Sequence, residues 1–189
     1  LSPAACFVLA VALFSPGTAL GAEAQGFPAR TSGAAAYSSP AVADLDGDGE
    51  MEIAFVAGGL LDVWKADGTM ASGFPIVLKE KSEIQSSPAI GDLLGDGRME
   101  VVVGSAHGVL FAFSAKGEPL MGFPKALGAG KVGTPALFDV DGDKKMEILV
   151  GTTEGKLHCL KASGGTCKGF PVDAGAEVTA NPAMGYFGP

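Results

Sequence analysis

Apolar residues along most of this chain come in short runs, each cut off by glycine, proline or aspartate. The first set reads Pro40-Ala-Val-Ala-Asp44, an acidic turn, Glu52-Ile-Ala-Phe-Val-Ala57, Leu60-Leu-Asp-Val-Trp-Lys65, a turn at Asp67-Gly68, and Gly73-Phe-Pro-Ile-Val-Leu78. Runs this short, rich in β-branched and aromatic residues and bounded by turn formers, predict strands rather than helices. A second set follows as Glu100-Val-Val-Val103, Val109-Leu-Phe-Ala-Phe113, Lys116-Gly117 and Gly122-Phe-Pro124. The third is Glu147-Ile-Leu-Val150, Lys156-Leu-His-Cys-Leu160, Gly164-Gly165 and Gly169-Phe-Pro171.

Two markers show that these sets are one repeat. Gly-Phe-Pro recurs with its phenylalanines at Phe27, Phe74, Phe123 and Phe170, which are 47, 49 and 47 residues apart. A small or polar pair before proline recurs at Ser38-Ser39-Pro40, Ser86-Ser87-Pro88, Gly133-Thr134-Pro135 and Ala180-Asn181-Pro182, with prolines spaced 48, 47 and 47. Four antiparallel strands in just under fifty residues make one blade of a β-propeller, whereas the coils of a β-solenoid are much shorter. The expected fold is therefore all-β: four-stranded antiparallel blades over 38–85, 86–132 and 133–179, with a further unit starting at 180. The phenylalanines should pack between blades, and the proline behind each suits an outer edge strand, which needs no ladder donor. Trp64 aligns with Phe113 and Leu160, so a place in the core is expected. The Gly-Phe-Pro at Gly26 precedes any blade of its own and reads as the outer strand of a last blade. Three blades and a fragment do not close a ring, so the chain is expected to be a piece of a larger protein, or to assemble in copies.

Ahead of the repeats, Ala4 to Phe14 forms an unbroken apolar run, followed by Ser15-Pro16-Gly17 and small residues to Ala24. As a helix it would rise only about 16 Å against a hydrocarbon core of about 30 Å, so it is expected to be a secretory signal over 1–24, not a membrane span. Cleavage is expected after Ala19, Ala22 or Ala24. No Met or basic residue precedes the run, so the first few residues are expected to be missing. Beyond the signal two cysteines remain, Cys159 and Cys167. Aligned on Gly-Phe-Pro, they stand level with Val63 and Ala71 in the first unit and with Ala112 and Leu120 in the second, and they straddle a turn almost symmetrically. A cross-strand disulfide is expected in an oxidising compartment, the alternative being two buried thiols.

The formal charge is −8 and only Arg30 and Arg98 are arginines, so no basic stripe is available to follow a nucleic-acid backbone. The acids matter because they cluster in register. Asp44-Leu-Asp46-Gly-Asp48-Gly-Glu50-Met-Glu52 puts carboxylates at loop positions one, three, five and nine, glycine at six, and the Glu50 carbonyl at seven. Alternate residues of a tight loop can turn oxygens toward one centre, and an all-oxygen shell suits Ca²⁺ rather than zinc. The third copy keeps Asp139, Asp141, Asp143 and Glu147, with Lys145 offering the position-seven carbonyl, but places Lys144 where glycine is wanted. The second keeps Asp92, Asp96 and Glu100 but has Leu94 at position three, so it should bind most weakly. Aspartate and glycine also form turns without any metal. Four converging acids would nevertheless repel one another unless a cation joined them.

The order small-x-Pro, Asp-x-Asp-x-Asp-Gly-x-x-acid, hydrophobic strand resembles the FG-GAP repeats of integrin α-chain propellers and the VCBS-type repeats of bacterial secreted proteins. It covers about Gly26 to Pro189. The resemblance implies a propeller with loop-bound calcium and a role in adhesion or in binding an extracellular protein or polysaccharide. Carried over by position it supports Asp44, Asp46, Asp48 and Glu52, and Asp139, Asp141, Asp143 and Glu147, while Leu94 departs from it. Glutamate at position nine and Ser-Ser-Pro in place of Gly-Ala-Pro favour the bacterial branch. Catalysis is not expected: the acids recur in every unit, whereas a catalytic pair is singular, and His107 and His158 stand in non-equivalent places outside any nucleophile or metalloprotease motif. Ser38 and Ser86, each before Ser-Pro, read as turn formers. The alternative is the propeller part of a secreted polysaccharide lyase or hydrolase whose active site lies elsewhere.

Overall fold

A computed structural model of the protein describes residues 26, 27, 29–33, 38–78, 86–178, 180 and 182. The signal expected over 1–24 and most of the unit starting at 180 lie outside these residues.

The described chain is all-β, as expected, and builds three four-stranded antiparallel sheets, the blades of a β-propeller. The first contains β1 (Ala41–Ala43), β2 (Glu52–Ala57), β3 (Leu60–Trp64) and β4 (Ile76–Val77). The second contains β5 (Ala89–Gly91), β6 (Glu100–Gly104), β7 (Val109–Phe113) and β8 (Lys125–Ala126). The third contains β9 (Ala136–Phe138), β10 (Glu147–Gly151), β11 (Lys156–Leu160) and β12 (Val172–Asp173). Each sheet is a plain meander in which every strand pairs with its sequence neighbours, so short turns suffice to set the register.

Among the described residues no named strand of one sheet pairs with a strand of another, and only scattered backbone links such as Thr153 N–H to the Lys131 carbonyl cross between units, so apolar burial supplies most of the contact between blades. Because successive strand residues face opposite ways, each sheet offers two faces. Ala54, Val56, Leu61, Val63 and Phe74 of the first blade pack against Val101, Val103, Phe111 and Phe113 of the second. The second repeats this with Val102, Leu110, Ala112 and Phe123 against Ile148, Val150 and Leu160 of the third. Each of these valines, leucines, isoleucines and phenylalanines contributes about 1.5–3 kcal/mol on burial, more than the roughly 0.5–1.5 kcal/mol of a hydrogen bond. The inter-blade core therefore outweighs the polar links. Trp64 is buried at 3% exposure with Phe55 and Ala29, and Phe27 packs against that cluster.

The glycine of each Gly-Phe-Pro has a second role. Gly122 has φ of +90°, and a Cβ there would stand 2.1 Å from the carbonyl oxygen of Ser163 in the turn of the next blade. Gly73 meets Lys116 in the same way at 2.0 Å, and Gly26 meets Asp67 at 1.8 Å. The prolines that follow, Pro75, Pro124 and Pro171, are all exposed beside the edge strands, and their Phe-Pro bonds are cis. Of the two serines read as turn formers, Ser86 does not behave as one. Ser86 is fully buried, and its Oγ both donates to the Gly104 carbonyl at 2.9 Å and accepts from the Gly104 N–H at 2.8 Å. One residue on, Ser39 N–H donates to Ser87 Oγ at 2.8 Å and Ser87 N–H to Thr134 Oγ1 at 3.0 Å, so this position links successive blades. The reason is tertiary: the first strands of neighbouring blades converge there, where a short hydroxyl reaches the next backbone.

Candidate metal centres

Each acidic loop joins the first strand of a blade to the second, and each is shaped by its own carboxylates. In the first loop Asp44 Oδ1 accepts from Gly47 N–H at 2.8 Å and Oδ2 from Gly49 N–H at 3.0 Å. Asp46 Oδ1 takes the Asp48 N–H at 3.2 Å, and Asp48 Oδ1 the Glu50 N–H at 2.8 Å. The third loop repeats the pattern: Asp139 holds Gly142 and Lys144 at 2.6 and 2.9 Å, Asp141 holds Asp143 at 3.3 Å, and Asp143 holds Lys145 at 2.9 Å. The second has Asp92 accepting from Gly95, Asp96 and Gly97 at 2.6, 3.1 and 2.9 Å, and Asp96 from Arg98 at 3.0 Å. Position six needs a left-handed backbone in every copy: φ is +90° at Gly49, +85° at Gly97 and +70° at Lys144. Lys144 is the one non-glycine residue of positive φ among the described residues, and it carries the steric cost of its Cβ.

The glutamates at position nine differ from the aspartates, which are exposed or half-buried. Glu52, Glu100 and Glu147 are 1%, 2% and 2% exposed. One oxygen of each accepts from the position-two N–H, of Leu45, Leu93 and Val140, at 2.8, 2.8 and 2.9 Å. Burial, the leading cause, pushes all three carboxyls above the ordinary range, and neighbouring aspartates add to the rise. The second oxygen of Glu52, Oε1, is buried and has no hydrogen-bond partner. A deeply buried carboxylate oxygen without a donor is costly unless a cation or proton meets it.

Oxygens of Asp44, Asp46 and Asp48 converge within 4.8 Å of one another, as do those of Asp139, Asp141 and Glu147. Such sets could hold a metal ion. Among the described residues the second loop forms no such set, and its Leu94 lies 44% exposed at position three. Glu50 and Lys145 are held at position seven through their N–H groups.

Two features of the loops lie outside the acidic spacing. Position two is an inter-blade plug, with Leu45 at 1% and Leu93 at 0% exposure inside the cores shared with the next blade. Met99 N–H donates to the Leu45 carbonyl, and Met146 N–H to the Asp92 carbonyl, both at 3.3 Å across the blade boundary. The loops are thus built into the blade contacts. Lysines also enter the clusters from the following hairpin: Lys65 Nζ is 3.7 Å from Asp46 Oδ2 and from Asp48 Oδ2, and Lys161 Nζ is 2.9 Å from Asp141 Oδ2. Aligning the units would have revealed both features, as Leu-Leu-Val at position two and Lys-Ser-Lys after the third strand.

The histidines stand apart from the loops. His158 is buried on β11 at the place of Asp62 and Phe111, with burial lowering its pKa, while His107 is exposed in a turn. Cys159 and Cys167 form a disulfide with Cα atoms 5.3 Å apart, and Cys167 N–H donates to the Cys159 carbonyl at 2.9 Å. No helix among the described residues is long and apolar enough to cross a membrane.

Fold and loops together define a β-propeller of meander blades carrying acidic loops at the blade boundaries. No protein-family model matches the sequence, and no curated protein matches it. Among solved structures, the computationally designed Ika4 protein is 16% identical with a TM-score of 0.57, the match covering 88% of this chain and 89% of that one. BBS1N, solved in complex with ARL6DN, is 16% identical with a TM-score of 0.53, over 70% of this chain and 43% of that one. The designed Ika8 protein is 17% identical with a TM-score of 0.50, and the match spans 74% of this chain but only 38% of Ika8. At these identities the likeness is one of fold.

Proposed function

We propose that this chain is an exported, non-catalytic propeller module of the FG-GAP or VCBS kind, which binds calcium in its first and third acidic loops and uses the resulting rigid surface to bind an extracellular protein or polysaccharide. One observation carries the calcium reading: three aspartates converge beside a glutamate whose buried Oε1 has no donor. Asp44, Asp46, Asp48 and Glu52 would hold one ion, and Asp139, Asp141, Asp143 and Glu147 another. The ion would supply the positive charge that the clustered carboxylates lack, and the loops would transmit that order to the blade contacts through Leu45. Export is supported by the disulfide, which oxidising compartments favour, and by the signal-like run at 4–14.

The far face of the third blade supports a partner completing the array, either further blades or a second copy. Leu149, Leu157 and Phe170 are only half-buried, and Val140 is 48% exposed, whereas their counterparts Val102, Leu110, Phe123 and Leu93 are at most 8% exposed. Titration calorimetry of the exported protein tests the central reading. Calcium should bind at two sites, and more tightly than magnesium, which demands a smaller octahedral shell. Asp46→Ala and Asp141→Ala should each remove one site. Absence of binding at millimolar calcium would refute the assignment.

A further inference from the structure

In two of the three blades the residue just after the third strand is a lysine, and these are the blades whose loops keep aspartate at position three. Lys65 follows β3, and its Nζ lies equidistant, at 3.7 Å, from Asp46 Oδ2 and Asp48 Oδ2. Lys161 follows β11 and donates to Asp141 Oδ2 at 2.9 Å. The middle blade has Ser114 at this place and Leu94 in place of the acid. Ser114 Oγ instead accepts from Lys116 N–H and Glu118 N–H, both at 3.3 Å, within its own turn. Acid and lysine are therefore present together or absent together, although they lie on different hairpin segments of the blade.

The oxygens involved give this pairing a consequence. In the first loop Oδ1 of Asp46 and of Asp48 is engaged with loop N–H groups, which leaves Oδ2 of each to face a cation. Those are the two oxygens that Lys65 faces. Asp46, Glu52 and Lys65 line one cavity of about 430 Å³, and Glu52 Oε1, on a side chain 1% exposed, has no partner. In the third loop the buried Glu147 lies with Asp139 and Asp141 inside the 4.8 Å set; Asp141 Oδ1 accepts from the Asp143 N–H, and Lys161 holds its remaining oxygen. The lysine side chains are 35% and 45% exposed, so each can swing into water without opening the fold.

We propose that Lys65 and Lys161 are tethered counter-cations that stand on the metal-facing oxygens of the first and third loops and must leave when a divalent cation takes those oxygens. They hold the metal-free loops together and weaken calcium affinity by competing for the same atoms. This rests on the calcium reading above. An exposed ion pair is weak, so displacing it should lower affinity by no more than about fivefold.

Calorimetry of the full exported chain, with calcium chloride as titrant, compares wild type with Lys65→Met, Lys161→Met and Lys65→Arg. Each Met variant keeps an unbranched, largely apolar side chain and should tighten calcium binding at its own loop by about two- to fivefold, with the gain shrinking as salt screens the pair. Thermal unfolding in chelator should show both Met variants melting slightly below wild type. Lys65→Arg, whose fork can hold both Oδ2 atoms, should weaken calcium binding at the first loop. Unchanged or weaker affinity in the Met variants, while wild type binds calcium, overturns the competition and leaves the metal sites standing. Failure of wild type to bind calcium overturns both.

Discussion

Replacing Gly122 with alanine, and comparing it with the same change at Gly169, isolates what one blade contributes to holding the next. The two glycines occupy the same place in their Gly-Phe-Pro motifs, with φ of +90° and +87°. Alanine costs about 1–2 kcal/mol at either from left-handed backbone strain alone. Their surroundings differ. At Gly122 the added Cβ would lie 2.1 Å from the Ser163 carbonyl oxygen and 2.7 Å from its carbon, backbone atoms of the third blade that cannot swing away. At Gly169 it would meet no atom of the described residues within 4 Å. Forcing extra volume into a packed contact costs about 1–3 kcal/mol, so Gly122→Ala should lose about 2–5 kcal/mol in total and Gly169→Ala only the first part. For a chain of this length the difference corresponds to about 2–12 °C in melting temperature. Urea unfolding followed by Trp64 fluorescence and by circular dichroism reads both variants under identical conditions, and Gly73→Ala, with its Cβ 2.0 Å from the Lys116 oxygen, serves as an internal repeat. Equal losses at Gly122 and Gly169 would mean that the glycine serves only its own turn, and the reasoning about blade contacts would be wrong.

Other consequences are as direct. Lys144→Gly should stabilise the protein by about 1 kcal/mol, because Lys144 sits at φ +70° while its N–H bond to Asp139 needs no side chain; a drop in melting temperature would contradict the strain. His158 has its pKa lowered by burial, so its contribution to stability is full above its ordinary value of 6.5 and is lost as the pH falls from there through the folded value. His158→Phe, which copies Phe111 of the sister blade, should flatten that part of the pH–stability curve, and an unchanged slope would assign it elsewhere. Asp62, fully buried with its pKa raised by burial, has the opposite sign: its contribution is present below 3.8 and fades as the pH rises through the folded value. Replacing Cys159 and Cys167 by the valine and alanine of the first blade should cost about 2–3 kcal/mol, since the disulfide closes a short loop of sequence separation 8. Thermal unfolding without reductant measures it, and an undiminished melting temperature would show that the bridge adds nothing beyond packing.

The elements, their order and the shape of the acidic loops are legible from neighbouring residues alone. Strand period, turn residues and carboxylate spacing all act over a few neighbours, so Glu52–Ala57 and Leu60–Trp64 could be placed, and Asp44 aligned with Asp139, from residues close at hand. Leu94 and Lys144 stood out as departures for the same reason. Contacts between distant segments emerge only once the chain is folded. Ser87 is only one residue of a Ser-Ser-Pro marker until Ser39 and Thr134, 48 and 47 residues away, are brought to its side chain and backbone. Gly122 looks like a hairpin glycine until the Ser163 carbonyl arrives above it. Lys65 looks like a solvated strand end until the fold carries it to Asp46 and Asp48, and Glu52 passes for one more loop acid until the folded chain buries it to 1% exposure. Local chemistry sets the turns, but burial and pairing depend on which surfaces meet: the lysine–aspartate pairs join segments about twenty residues apart, and the links between blades join residues 47 or 48 apart.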